Sequence, residues 1–309
     1  MFKKNRPHLL IIGGTGFIGY HLALKAIKKK WIVTSISLNK PKKHKYINGV
    51  NYIKTDISNL KKTKKKLVGS FTHVVNLGGY VKHFLFKGKT DAIIKTHFLG
   101  LINLIKILPK KKIKKFVQIG SSAEYGDAKS PQKEDVHGQP NSSYGIAKLA
   151  STRLLLSLYN TKKFPVTILR FFQIYGPKQD KNRVLPQIIS GCLKNIKFPA
   201  SKGQQIRDFC YIDDAVNAIF LALLSKKSVG EVFNIGSGQP LKLKKIITEI
   251  QKKIGKGTVQ FGKVKYRKDE NMKLYPNINK AKKQLKWQPK VRFNRGIDIT
   301  IDSYKNYEE

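Results

Sequence analysis

Apolar positions along the chain alternate between two spacings. Leu9 to Ile12 is an unbroken apolar run, and from Tyr20 to Lys29 apolar residues recur every three or four positions, so a buried strand precedes a helix. The alternation continues. Strands are expected at Ile32–Leu38, Val50–Lys54, His73–Leu77, Phe116–Ile119 and Pro165–Phe171. Helices are expected at Leu60–Leu67, at Asp91–Leu108 with Pro109 ending it, and at Tyr144–Tyr159, whose start Ser142 or Ser143 can cap. The lysine-rich stretch 39–50 and the proline- and glycine-bearing stretch 129–142 read as surface loops. Strands regularly separated by helices predict an α/β fold, a Rossmann-type doubly wound parallel sheet. Past Gly176-Pro177 the pattern becomes irregular, with short helices at Val184–Leu193 and Asp213–Leu224. The expected division is a dinucleotide-binding domain over 1–176 and a smaller mixed α/β substrate domain over 177–309, with segments interleaved.

Between the first strand and first helix lies GGTGFIG, Gly13 to Gly19. Gly13 permits a tight turn, Gly16 lets the backbone approach a pyrophosphate, and Gly19 lets the helix lie against the strand. The helix N-terminus then presents free N–H groups and a positive dipole end to the phosphates.

Composition narrows the function classes. At 309 residues and 40% hydrophobic content the chain can bury a substantial core. No apolar run approaches the roughly 18 to 20 residues of a membrane span, and the opening MFKKNRPHLLIIGG runs straight into the first strand. A cytoplasmic protein without a secretory leader or membrane attachment is expected. Cys192 and Cys210 have no ligand spacing, nor do His8, His21, His73, His83 and His97, so no metal site is expected and these histidines read as structural. Lysine and arginine total 62 against 18 acidic residues, a net charge of +44. These cations are scattered, without an aromatic and basic recognition module, so nucleic acid is not the expected partner; the field still draws anionic substrates.

Two further stretches carry chemistry. GSSAEYG follows a strand and so places Ser121 and Ser122 at the carboxyl edge of the sheet, where such folds bind ligands. YGIAK sets Tyr144 and Lys148 four apart on one helix face. Alone, such a pair is ordinary helix surface. With the glycine turn and the serine strand, the set resembles the extended short-chain dehydrogenase/reductase family of epimerases and dehydratases, whose members modify nucleotide sugars.

The resemblance spans essentially the whole chain. It implies that Gly13, Gly16, Phe17, Ile18 and Gly19 hold the cofactor pyrophosphate, that Asp56 and Ile57 meet the adenine, and that Leu77, Gly78 and Gly79 pass the ribose. Ser122, Tyr144, Lys148 and Phe171, the last in LRFFQIYGP, complete the cofactor contacts. On the substrate side it implies Ser121, Ser122, Tyr144, Gln173 and Leu185, with Arg207 of GQQIRDFCYIDDAVNAI and Arg267 of YRKDE on the diphosphate. It further implies a homodimer paired through Asp91–Leu108 and Tyr144–Tyr159. The implied chemistry is physically intelligible. Hydride transfer at a sugar alcohol requires movement of the hydroxyl proton, which Tyr144 is placed to take or give. An ammonium one helical turn away, Lys148, favours the phenolate. Ser121, four before Tyr125, bonds the sugar oxygen, with Ser122 as the alternative.

Departures from the family pattern shape the expectation. Where NAD-using relatives carry an acid for the ribose hydroxyls, this chain has Ser37, then Asn39, Lys40, Lys42 and Lys43. A missing carboxylate among cations suits a 2′-phosphate, so NADP is favoured over NAD. His97 and Gln173 replace asparagines, and Lys286 replaces the glycine of an LGW-like motif. Ser122 and Ala123 occupy the two positions after Ser121 where dehydratases carry an acid pair; only Glu124 follows, which disfavours dehydration unless Ser122 is the reacting serine. The run from Phe261 to Pro289 looks most like reductases of 4-keto-6-deoxy sugar nucleotides. The expected function is therefore an oxidoreductase acting at sugar C4, a 4-keto reductase or else a 4-epimerase holding NAD. A non-catalytic dinucleotide-binding protein is the alternative of a different class.

Overall fold

The computed structural model describes residues 6–79, 90–267 and 270–308; His83 lies outside them. Six strands alternate with helices through the first half: β1 (His8–Ile12), β2 (Ile32–Ser37), β3 (Val50–Lys54), β4 (His73–Asn76), β5 (Lys115–Ser121) and β6 (Val166–Phe171). Three more strands follow, β7 (Gln173–Tyr175), β8 (Lys197–Ala200) and β9 (Ile206–Tyr211), before β10 (Val232–Ile235) returns beside β6. The central sheet has seven parallel strands in the order β10-β6-β5-β4-β1-β2-β3. The chain builds outward from β1 to β3, then crosses back to β4. That reversal leaves a crevice at the carboxyl ends of β1 and β4, where Ile12 lies opposite Asn76.

Both faces of the sheet are covered, which is why Leu9–Ile12 of β1 is apolar without alternation and β6 is buried at every position, its Thr167 and Arg170 included. On one face α1 (Phe17–Lys28) contributes Leu22, Ala23 and Ala26 to the same core as Ala215, Val216 and Ile219 from the helix Ile212–Leu224. On the other face Leu101 and Leu104 pack with Leu155. The helices there are α2 (Leu60–Lys66), α3 (Thr90–Ile94), α4 (Gly100–Ile107) and α5 (Ser143–Lys162). Ser142 caps α5, its hydroxyl accepting the Gly145 N–H at 3.1 Å.

The structure refines three expectations. Helix α1 begins at Phe17 rather than Tyr20, because Gly16 already serves as its N-cap. The helix expected over Asp91–Leu108 is interrupted by a π-helical turn, Lys95–Leu99, between α3 and α4. Strand β5 runs on to Ser121, so the serine stands at the strand's end.

The remaining helices are α6 (Val184–Leu193), α7 (Ile212–Leu224), α8 (Leu243–Ile254), α9 (Asn279–Gln284) and α10 (Phe293–Glu308). Three short strands accompany them: β11 (Pro240–Lys242), β12 (Thr258–Phe261) and β13 (Lys273–Leu274). Strand β9 pairs with β7, β11 and β13, and β8 with β12, forming small sheets beside the carboxyl edge of the main one. Among the described residues no helix is long and apolar enough to cross a membrane.

Candidate active site

The glycine turn is built by close backbone approach. Gly13 adopts φ +80, and a Cβ on Gly19 would lie 2.5 Å from the Gly14 Cα, so α1 rests directly on the turn. A Cβ on Gly16 would meet only the Gly13 carbonyl, at 3.2 Å. No side chain caps the N-terminus of α1. The turn therefore offers open backbone N–H groups beside the crevice, which fits a pyrophosphate. Around it, the Ser37 hydroxyl accepts the Thr15 N–H at 3.2 Å, while Asn39 and Lys40 are exposed. Asp56 is exposed and accepts the Ser58 N–H at 2.9 Å; Ile57 is buried. Leu77 is half-buried, and the Gly78 N–H donates to Asn76 Oδ1 at 3.0 Å.

At the end of β5, the Ser121 side chain lies beside the Tyr144 hydroxyl and favours its phenolate. Lys148 lies one turn along α5, its Nζ 5.8 Å from the Tyr144 ring centre and donating to the Ile119 carbonyl at 2.8 Å. Tyr144 and Lys148 are about 95% buried. Burial pushes the Tyr144 phenol up to about 12; the Ser121 side chain and the Arg183 charge act in the opposite direction, and the Glu124 charge adds to the rise. Burial brings Lys148 down to about 8, with Glu124 opposing. The expected lowering of the phenol by Lys148 is not seen in this state, because burial dominates and the ammonium points at a backbone carbonyl. Ser122 is buried in the short turn behind Ser121, and Phe171 lies opposite Ser121 on β6.

Three neighbours of this set have roles that were not legible in the sequence. The His97 ring, in the π-helical turn, stands against the Tyr144 ring. Glu124 is completely buried between Arg170 Nε and the Thr152 hydroxyl, each 2.9 Å away. Arg183, at the start of α6, is with Glu124 one of two charges acting on Tyr144, and nothing in the local sequence announces it.

The substrate-side residues lie on several elements. Gln173 is exposed at the start of β7, and Leu185 is packed in the core. Arg207 on β9 is ion-paired with Glu270, not with its neighbour Asp208. Asp208 is buried and accepts the Ser237 hydroxyl at 3.0 Å. Arg267 is exposed near Arg207, which feels its charge.

A glycine turn opening on the strand-reversal crevice, one strand away from a buried tyrosine and lysine, puts the molecule in the class of dinucleotide-binding α/β proteins. Comparison with known proteins narrows that class. Residues 9–236 match the NAD dependent epimerase/dehydratase family, and the chain belongs to it. It is 30% identical to a UDP-N-acetyl-alpha-D-glucosaminuronate decarboxylase of Bacillus cytotoxicus, over 98% of this chain and 99% of that one. It is 28% identical to the dTDP-D-glucose 4,6-dehydratase of Bos taurus, over 96% and 88%. Its fold is similar to that of UDP-glucuronic acid 4-epimerase from Bacillus cereus in complex with UDP-glucuronic acid and NAD. The TM-score is 0.87, with 27% identity over 97% of this chain and 99% of that one.

Proposed function

We propose that this chain is a nucleotide-sugar oxidoreductase that oxidises the sugar at C4 and returns the hydride to the same carbon, the cycle of a 4-epimerase that retains NAD. The observation that carries this reading is the juxtaposition of Ser121, Tyr144 and Lys148, with the buried Glu124 carboxylate beside them fully engaged elsewhere. The bound cofactor supplies the hydride acceptor and donor. Ser121 holds the C4 oxygen, and Tyr144 takes the C4 hydroxyl proton and later gives it back. With burial holding the phenol near 12, proton removal is helped by the Ser121 side chain and the Arg183 charge, with Lys148 one turn along the helix. The glycine turn holds the pyrophosphate and Arg207 the substrate diphosphate.

Water elimination needs an acid and a base besides Tyr144. Both Glu124 oxygens are occupied by Ser121, Thr152 and Arg170, which speaks against dehydration. The 4-keto reductase expectation finds less support: the relatives named above are a decarboxylase, a dehydratase and an epimerase. NAD rather than NADP follows the family and the epimerase complex, and Ser37 is engaged with the Thr15 N–H. Exposed Ile94, Leu99 and Ile146 on the π-interrupted helix and α5 support a homodimer, which sedimentation would test.

Arg183 favours a second reading. A guanidinium acting on the Tyr144 phenol would also pair with a sugar carboxylate, and oxidation at C4 of a uronic acid makes a β-keto acid that can lose carbon dioxide. The test is to incubate the protein with UDP-glucose or UDP-glucuronic acid and trace NAD. Epimer formation without net NADH supports the proposal, and carbon dioxide release supports the second reading. Stoichiometric NADPH consumption with 4-keto sugar nucleotides would restore the reductase.

A further inference from the structure

The Glu124 carboxylate is a charged group with no exposure, and hydride transfer makes no direct use of it. Its Oε1 accepts the Ser121 backbone N–H at 2.8 Å. Its Oε2 accepts the Thr152 hydroxyl and Arg170 Nε, both at 2.9 Å. These bonds come from the end of β5, from α5 and from β6. Tyr144, Lys148 and Thr152 are spaced by four and share one face of α5. One carboxylate therefore ties the backbone of Ser121 to the helix face that carries Tyr144 and Lys148.

Room for that carboxylate is built into the strand. A Cβ on Gly120 would overlap Oε1 and come within 3.1 Å of the Arg170 Cγ. The Ser121 hydroxyl in turn accepts the Ala123 N–H at 3.1 Å, completing a reciprocal cap with Glu124. Arg170 is itself held over the Tyr125 ring, 4.6 Å from its centre, and Tyr125 donates to Asn234 at 2.7 Å on β10. A buried ion pair gives little stability over an apolar filling of the same shape; fixing a geometry is the use that remains.

We propose that Glu124 and Thr152 are positioning residues that set Ser121 in register with Tyr144 for reaction at the sugar. This rests on the reading of Ser121 and Tyr144 given above. The charged and titratable groups facing Glu124 are Arg170 from β6, Tyr144 and Lys148 from α5, and Tyr125 through Arg170; Arg183 faces Tyr144 from α6.

The experiment uses the full chain with NAD, and UDP-glucose and UDP-glucuronic acid as probes. Thr152→Val keeps the ion pair and removes the tie to α5. It is expected to lower kcat by roughly ten- to a hundredfold with NAD affinity within about twofold, and Thr152→Ser to restore it. Glu124→Gln keeps an acceptor for the Ser121 N–H and removes a negative charge beside Tyr144. The phenolate absorbance of Tyr144, read as the difference from Tyr144→Phe and needing no substrate, should then rise at lower pH than in the wild type. Wild-type kcat in Thr152→Val, or an unmoved Tyr144 titration in a folded Glu124→Gln, overturns the positioning role while Tyr144→Phe remains inactive. Turnover in Tyr144→Phe instead overturns the underlying reading and this proposal with it.

Discussion

The His97 ring stands edge-on to the Tyr144 ring, with centroids 5.1 Å apart and planes at 81°. The turn that carries it is held to α5, where the Ser151 hydroxyl donates to the His97 carbonyl at 3.1 Å. On its other side the ring fills the space a Cβ on Gly79 would need. His97 thus links the cofactor-side loop to the tyrosine by packing.

Gly79→Ala should therefore be felt at Tyr144. Gly79 adopts φ +106, which disfavours any side chain, and the added methyl would overlap the His97 ring. A loss of about 2 kcal/mol or more is expected from the backbone and the clash together, read as a lowered Tm. Turnover should fall as well, because the displaced ring presses on Tyr144.

Tyr144→Phe removes the proton carrier and leaves the ring. Turnover should drop by roughly a hundred- to ten-thousandfold, the usual contribution of a positioned acid or base. NAD affinity should change by no more than about threefold, since Lys148 and the glycine turn are untouched. Unchanged turnover in this variant would sink the mechanism.

The sheet was legible because β1, β4 and β6 are short segments with apolar centres between turn signals, and a parallel sheet buried on both faces produces that pattern even where His73, Asn76, Thr167 and Arg170 interrupt it. The glycine turn and the Ser121, Tyr144 and Lys148 set were legible as local spacings. Glu124 was not, because its meaning lies with Arg170, 46 residues away, and Thr152, 28 away. Nor was the π-helical turn at Lys95–Leu99, which keeps helical periodicity on either side. Lys286 is a partial case. Its position after α9 reads as a glycine site, and the backbone there has φ +55, yet an exposed lysine occupies it.

Gly16 and Gly19 separate cofactor binding from folding. Gly16 has φ −75 and a Cβ there would meet only the Gly13 carbonyl, at 3.2 Å, so Gly16→Ala should fold with a small loss of Tm while NAD affinity falls by roughly tenfold or more. Gly19→Ala would drive a methyl into the Gly14 backbone, 2.5 Å away, and should lower Tm strongly whether or not NAD is present. Calorimetry with and without NAD distinguishes the two.

Lys148 should leave a pH signature on stability. Its pKa is about 8 in the fold against 10.5 for an ordinary lysine, so the fold favours the neutral amine. The unfolded chain binds the extra proton between these values, and stability from this group therefore rises as pH climbs through that window. At about pH 7 the buried ammonium is at its most costly. The stability of wild type relative to Lys148→Met should increase from about pH 7 to about pH 10, measured by denaturant titration. A flat difference would place the lysine's charge in a better-solvated setting than its burial implies.

Arg207 and Glu270 already form an ion pair where the substrate diphosphate is proposed to bind, with side chains 12% and 18% exposed. A diphosphate arriving at Arg207 must take the place of that carboxylate, so part of the binding free energy goes into separating the pair. Glu270→Gln removes the competitor and should tighten binding of UDP by roughly three- to tenfold, the range of a partly screened ion pair. Arg207→Gln should weaken UDP binding by at least about tenfold, because a guanidinium fork matches two phosphate oxygens and an amide does not. Isothermal titration with UDP reads both. Opposite shifts in the two variants put the diphosphate on Arg207, whereas parallel shifts would make the pair a strut between β9 and the segment leading into β13.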